Sequence, residues 1–204
     1  MMAVVVAKTR MRNNICIGAV DVENGGSLRL VPRERPEYHS WPSFDARIGT
    51  VVALRGIRPA RVLPPHVEDF LVAHWETASR IEDLPEWIRG RCDAWTGDRS
   101  CMFGGAIRFT PRGKAFVQRG DPLPSGSVGF WELPADMAIQ DGPRPRYVMG
   151  GRSPIDVPYV GLGKPIPIIP AGTLVRVSLS RWWAPDDASM PESCWLQLSG
   201  FFDG

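Results

Sequence analysis

The sequence predicts an all-β protein of two loosely similar halves, small barrels or sandwiches joined by loop-rich connections. Three observations lead there. Glycine and proline, 21 and 20 among 204 residues, recur in short clusters that a helical protein would not tolerate. Runs of four to eight β-branched or alternating residues lie between those clusters. One stretch alone reads as helical, and Pro85 interrupts it.

The elements follow in order. "AVVVA" within Met2 to Ala7 is a buried strand, and Ile15 to Val22 a second. Asn24-Gly25-Gly26 supplies the positive φ angles of a tight turn. "SLRLV" returns as a third strand, with Leu28 and Leu30 on one face and Arg29 and Val31 on the other. After the proline-broken loop "PRERPEYHSWPSFDA", Ile48 to Ile57 is a fourth strand. Pro64-Pro65 ends this unit, and "HVEDFLV" is a short strand or a turn. "ETASRIEDLPEWIRG" is the helical stretch, expected as two short helices because an interior proline removes a backbone bond. Strand candidates in the second half are "AIRFT", "KAFVQ", "SVGFWEL" and "RYVMG". "TLVRVSLSRWW" is the clearest, with Leu174, Arg176, Ser178 and Ser180 on one face and Val175, Val177 and Leu179 on the other. "CWLQLSGFF" closes the chain with a matching alternation, and no tandem repeat is present. The expected division is a first lobe over residues 1–83 and, over 84–204, a helical and loop connection leading into a second lobe.

Composition narrows the function. No apolar stretch reaches the roughly 18 residues that span a bilayer. The apolar start is followed at once by Lys8, Arg10 and Arg12, the reverse of a secretory signal, so the expected compartment is the cytoplasm. Cys16, Cys92, Cys101 and Cys194 lack the paired spacing of a zinc site, and reduced thiols are expected; no metal or cofactor is. The net charge of +2 hides an asymmetry: residues 1–61 carry ten basic side chains against five acidic, 62–140 eight against eleven, and 141–204 six against six. So modest a total, with a pI near 8.4, argues against indiscriminate duplex binding.

Taken together, "VVVAKTRMRNNICIGAVDVENGGSLRLV", "IGTVVALRGIRP", "LPPHVEDFLV", "VRVSLS" and "CWLQLSGFF" resemble, in order and spacing, the bacterial dual OB-containing domain family. The likeness covers nearly the whole chain, departing at Ser199-Gly200, where other members carry Ala-Gly. It implies two consecutive OB-like small barrels, a setting among prokaryotic defence or conflict genes, and nucleic-acid binding.

Lys8, Arg10 and Arg12 are spaced so that an extended chain projects all three from one side. Arg29 lies on the adjoining strand, and Arg33 and Arg35 follow it; a polyanion laid across the sheet would meet several of these charges. The alternative is a solvated strand end paired with Glu23, Glu34 and Glu37. Tyr38, His39 and Trp41 would add a platform on which bases stack, or else cap the barrel core; Trp182-Trp183 is a second such platform. His66, Glu68 and Asp69, with His74 nearby, form a group fit for proton transfer or a divalent metal, or for hydrogen bonding within a turn. The chain has no phosphate-cradling Gly-rich loop, no Gly-x-Ser-x-Gly elbow and no His-Glu-x-x-His helix. The reading is therefore a binding module for single-stranded DNA or RNA, or for a nucleotide. Two alternatives remain open: a protein-interaction module of a defence assembly, and a nucleotide-processing enzyme built on His66, Glu68 and Asp69.

Overall fold

The computed structural model describes residues 1–11, 14–36, 41–140, 142–184 and 191–202. Five strands form the first half: β1 (Met2–Met11), β2 (Asn14–Asp21), β3 (Ser27–Pro32), β4 (Thr50–Ile57) and β5 (Asp69–Arg80). They close into a barrel in the order β1-β2-β3-β5-β4, with β4 returning to β1 and only β3 and β5 running parallel. A closed five-stranded barrel of this kind is the OB architecture.

Local chemistry sets its turns. Between β2 and β3, Asp21 accepts from the Glu23 amide and Asn24 from the Gly26 amide. Gly25 takes φ +71° there, and a Cβ on it would lie 2.0 Å from the Arg91 carbonyl oxygen, so both backbone angle and space demand glycine. Alternation along the strands sends Ala3, Val5, Ile17, Ala19, Leu28, Leu30, Val52, Leu54, Phe70 and Val72 into the barrel. Their neighbours Val4, Val6 and Val20 point outward, yet they are equally buried, because Ile88, Phe130, Leu174 and Phe202 of the second half cover them. The uninterrupted apolar run of β1 is thus explained by a strand buried on both faces.

The second half begins with α1 (Leu84–Arg89) and continues through β6 (Ala94–Trp95), a 3-10 turn at Arg99–Gly105, β7 (Arg108–Phe109), β8 (Ala115–Gln118), β9 (Val128–Glu132), β10 (Met137–Gln140), β11 (Arg146–Met149), β12 (Ile155–Pro158), β13 (Ile168–Ile169), β14 (Leu174–Leu179) and β15 (Ser193–Phe202). Six of its strands make a half-barrel sheet in the order β6-β9-β14-β15-β8-β7, and the other four make a sheet in the order β12-β11-β10-β13. Trp131, Tyr147, Ile155, Val175, Val177 and Leu198 belong to its core.

The chain is all-β as expected, with one correction. "ETASR" does not begin a helix; it completes β5, where Glu76 to Arg80 pair with Thr50 to Ala53 of β4. Only Leu84–Arg89 is helical in that stretch, and Pro85 starts the helix instead of splitting it. In the first turn a proline lacks no needed amide, and Asp83 caps the end by accepting from the Glu86 amide. Among the described residues no helix is long and apolar enough to cross a membrane.

Candidate functional site: an arginine-lined cleft

Polar contacts bind the barrel to the second half along the "PPHVEDF" segment. Glu68 accepts from both the Ser127 amide and the Ser127 hydroxyl. Asp69 accepts from Arg29 Nε and lies 3.7 Å from Arg181 Nη2. His66 Nε2 is 3.7 Å from the Sγ of Cys194, and Trp182 Nε1 donates to the Pro64 carbonyl at 3.0 Å. His66, Glu68 and Asp69 are all buried. Burial pushes the Cys194 thiol up to about 12, so it stays protonated and non-nucleophilic at neutral pH. These residues form a latch between the halves, and among the described residues no three His, Cys, Asp or Glu are grouped to hold a metal.

Beside the latch a cleft of about 780 Å³ opens between the outer face of β1, β2 and β3 and the strand β14. From the barrel come Arg10, Cys16, Gly18 and Arg29. Across from them stand Arg176, Ser178, Ser180 and Arg181, and Trp182, Trp183, Trp195 and Arg144 complete the wall. Trp183 is 56 % exposed, while the Arg119 guanidinium covers the Trp182 ring at 4.6 Å.

Arg176 dominates the floor. It is only 5 % exposed, and Nη1 donates to Ser199 Oγ at 3.0 Å. No carboxylate among the described residues forms an ion pair with it. The guanidinium fits because Gly18 leaves room: a Cβ there would sit 2.7 Å from Nη2. Burial pushes the guanidinium below its ordinary value, against the pull of nearby Cys16 and Glu68. Arg181 is pushed down to about 10, chiefly by burial and then by the charge of Arg29, against the pull of Asp69. Its Nε and Nη2 are buried and make no hydrogen bond among the described residues. Five guanidiniums therefore face two carboxylates, Glu68 and Asp69, across a partly desolvated space where electrostatic attraction is stronger than in water.

The residues singled out in the sequence divide between this cleft and other places. Arg10 and Arg29 line it, as do Glu68 and the Trp182-Trp183 pair. Lys8 lies elsewhere: its ammonium donates to the Phe44 and Ala46 carbonyls, and burial lowers its pKa. Arg33 and Arg35 are exposed and do not line the cleft. Trp41 closes a mouth of the barrel, donating to the Leu30 carbonyl at 2.8 Å and meeting Phe44 edge-on at 5.2 Å. Arg12, Tyr38 and His39 lie outside the described residues. Arg144, Arg176, Arg181 and Trp195 also line the cleft, though nothing in the sequence marks them as binding groups together. The available signal was Arg176 itself, a charge in the middle of the apolar strand "LVRVSL".

Compared with known protein families and with curated proteins, the chain matches none.

Proposed function

We propose that the cleft binds single-stranded nucleic acid or a nucleotide-containing ligand, with phosphate on the arginines and a base against the exposed face of Trp183. The observation that carries this reading is Arg176, a buried guanidinium that forms no ion pair with a carboxylate among the described residues, at the floor of a solvent-connected cleft. A charge so placed is costly unless an anion completes it. Arginine suits phosphate because its planar fork donates two parallel hydrogen bonds. Tryptophan beside it supports stacking, which is tolerant of base identity. The resemblance to the dual OB-containing domain family points the same way, and with it comes the proposal of a role in a prokaryotic defence or conflict system.

The competing reading, a protein-interaction module, draws on the same exposed Trp183. Salt separates the two. Labelled single-stranded DNA and RNA decamers are titrated with the protein by fluorescence anisotropy at low and near-physiological salt. The proposal expects saturable binding that weakens steeply as salt rises, since phosphate contacts release counterions. Absence of binding by both polymers and by mononucleotides would overturn it.

A further inference from the structure

We infer that the cleft is built for a terminal phosphomonoester, the phosphorylated end of a single strand or a free nucleotide, and not for the internal phosphodiesters of a strand passing through. This rests on the reading of the cleft as a nucleotide-phosphate site.

The first ground is convergence. Gly18 of β2 pairs directly with Arg29 of β3, and the Arg176 guanidinium lies over Gly18. Arg29 and Arg181 meet the same carboxylate, Asp69. Three guanidiniums, from β3, β14 and the segment after β14, are thereby gathered around one point. A strand held along its length is met by charges spread in a row, because each diester carries one charge and offers two free oxygens. A terminal phosphate carries about −1.5 to −2 at neutral pH and offers three acceptor oxygens in one place. Donors clustered as these are match the second pattern.

The second ground is the number of unused donors. Among the described residues the buried Nε and Nη2 of Arg181 make no hydrogen bond, Nη2 reaching Asp69 only at 3.7 Å, and Arg176 uses one nitrogen on Ser199. Among the described residues Glu68, bonded through both oxygens to Ser127, and Asp69, which meets Arg29 and Arg181, are the carboxylates whose charge acts on the cluster, two against three guanidiniums. Size is the third ground. At about 780 Å³ the cleft falls in the range of small-ligand pockets, roughly 300–1,000 Å³, whereas OB grooves that track a strand accommodate about 4–16 nucleotides.

The test compares four ligands by calorimetric titration at one salt concentration: thymidine tetranucleotides with hydroxyl ends, with a 5′-phosphate and with a 3′-phosphate, and thymidine monophosphate. A phosphate on one end should strengthen binding by at least about tenfold over the hydroxyl-ended strand. That advantage should shrink below about pH 6, where the phosphate loses its second charge. The two phosphorylated strands tell which end is read, and thymidine monophosphate tells whether a free nucleotide suffices. Hydroxyl-ended and phosphorylated strands binding within about twofold of each other would overturn the end-recognition inference and leave the binding reading standing. If none of the four binds, both fall.

Discussion

Replacing Arg176 by methionine should make the ligand-free protein more stable while removing its binding. The guanidinium is 5 % exposed and has no carboxylate partner among the described residues. Desolvating such a charge costs several kcal/mol after relaxation, and apolar replacements of similar volume are stabilising by about 1–4 kcal/mol in comparable sites. Against that gain stands the lost bond from Nη1 to Ser199, worth about 1 kcal/mol. Ser199 is not orphaned, since its hydroxyl donates to the backbone carbonyl of residue 176 at 2.9 Å whatever the side chain. The net expectation is about 0–3 kcal/mol of added stability. For a chain of this size that raises Tm by about 2–4 °C per kcal/mol. Calorimetric melts of wild type and Arg176→Met without ligand measure the shift, and anisotropy with single-stranded DNA measures the loss of binding. A Tm that falls by several degrees would refute the reasoning, because it would mean that the fold itself completes the Arg176 charge.

Three further outcomes are expected. Gly18→Ala puts a Cβ 2.7 Å from Arg176 Nη2 and 3.2 Å from the Ala7 Cβ, so it should displace the guanidinium, costing about 1–3 kcal/mol in chemical denaturation and weakening phosphate ligands. Trp41→Ala should destabilise the barrel by about 2–4 kcal/mol through lost packing on Phe44, with ligand affinity in the folded protein unchanged. With Arg181 depressed to about 10 from 12.5, affinity for a phosphorylated deoxycytidine strand should hold through pH 9 and fall as pH passes 10, in anisotropy titrations across that range. The linkage to stability has the opposite sign: Arg181 is unfavourable to the fold below about pH 10, and that penalty is relieved as pH rises from 10 toward 12.5, where the unfolded chain holds the proton more tightly.

Much of the fold was legible because strand periodicity and turn chemistry agree locally. Leu28 and Leu30 face the barrel core while Arg29 faces the cleft, as the alternation of "SLRLV" requires. "ETASR" misled because its residues are compatible with a helix and mostly exposed, so nothing local marks it as a strand; pairing with β4, some 25 residues earlier, decides it. Short strands such as Ile168–Ile169 exist only through their sheet neighbours, here β10. The site shows the same division. The alternation in "TLVRVSLS" correctly put Arg176, Ser178 and Ser180 on one face, and all three line the cleft. What the sequence did not reveal is that the barrel covers that face and buries Arg176, a consequence of contacts between residues more than a hundred positions apart. The basic comb was divided for a similar reason: Lys8 finds the Phe44 and Ala46 carbonyls across the barrel mouth, while Arg10 is left at the cleft.

The central claim is that binding resides in the cleft and not on the exposed loop after β3. Titrating labelled single-stranded DNA into wild type, Arg176→Met and the double variant Arg33→Ala/Arg35→Ala, at one low salt concentration, tests it most directly. The account predicts that the loop variant binds within about twofold of wild type and the cleft variant at least about tenfold more weakly. Binding retained by Arg176→Met and lost by the loop variant would contradict it.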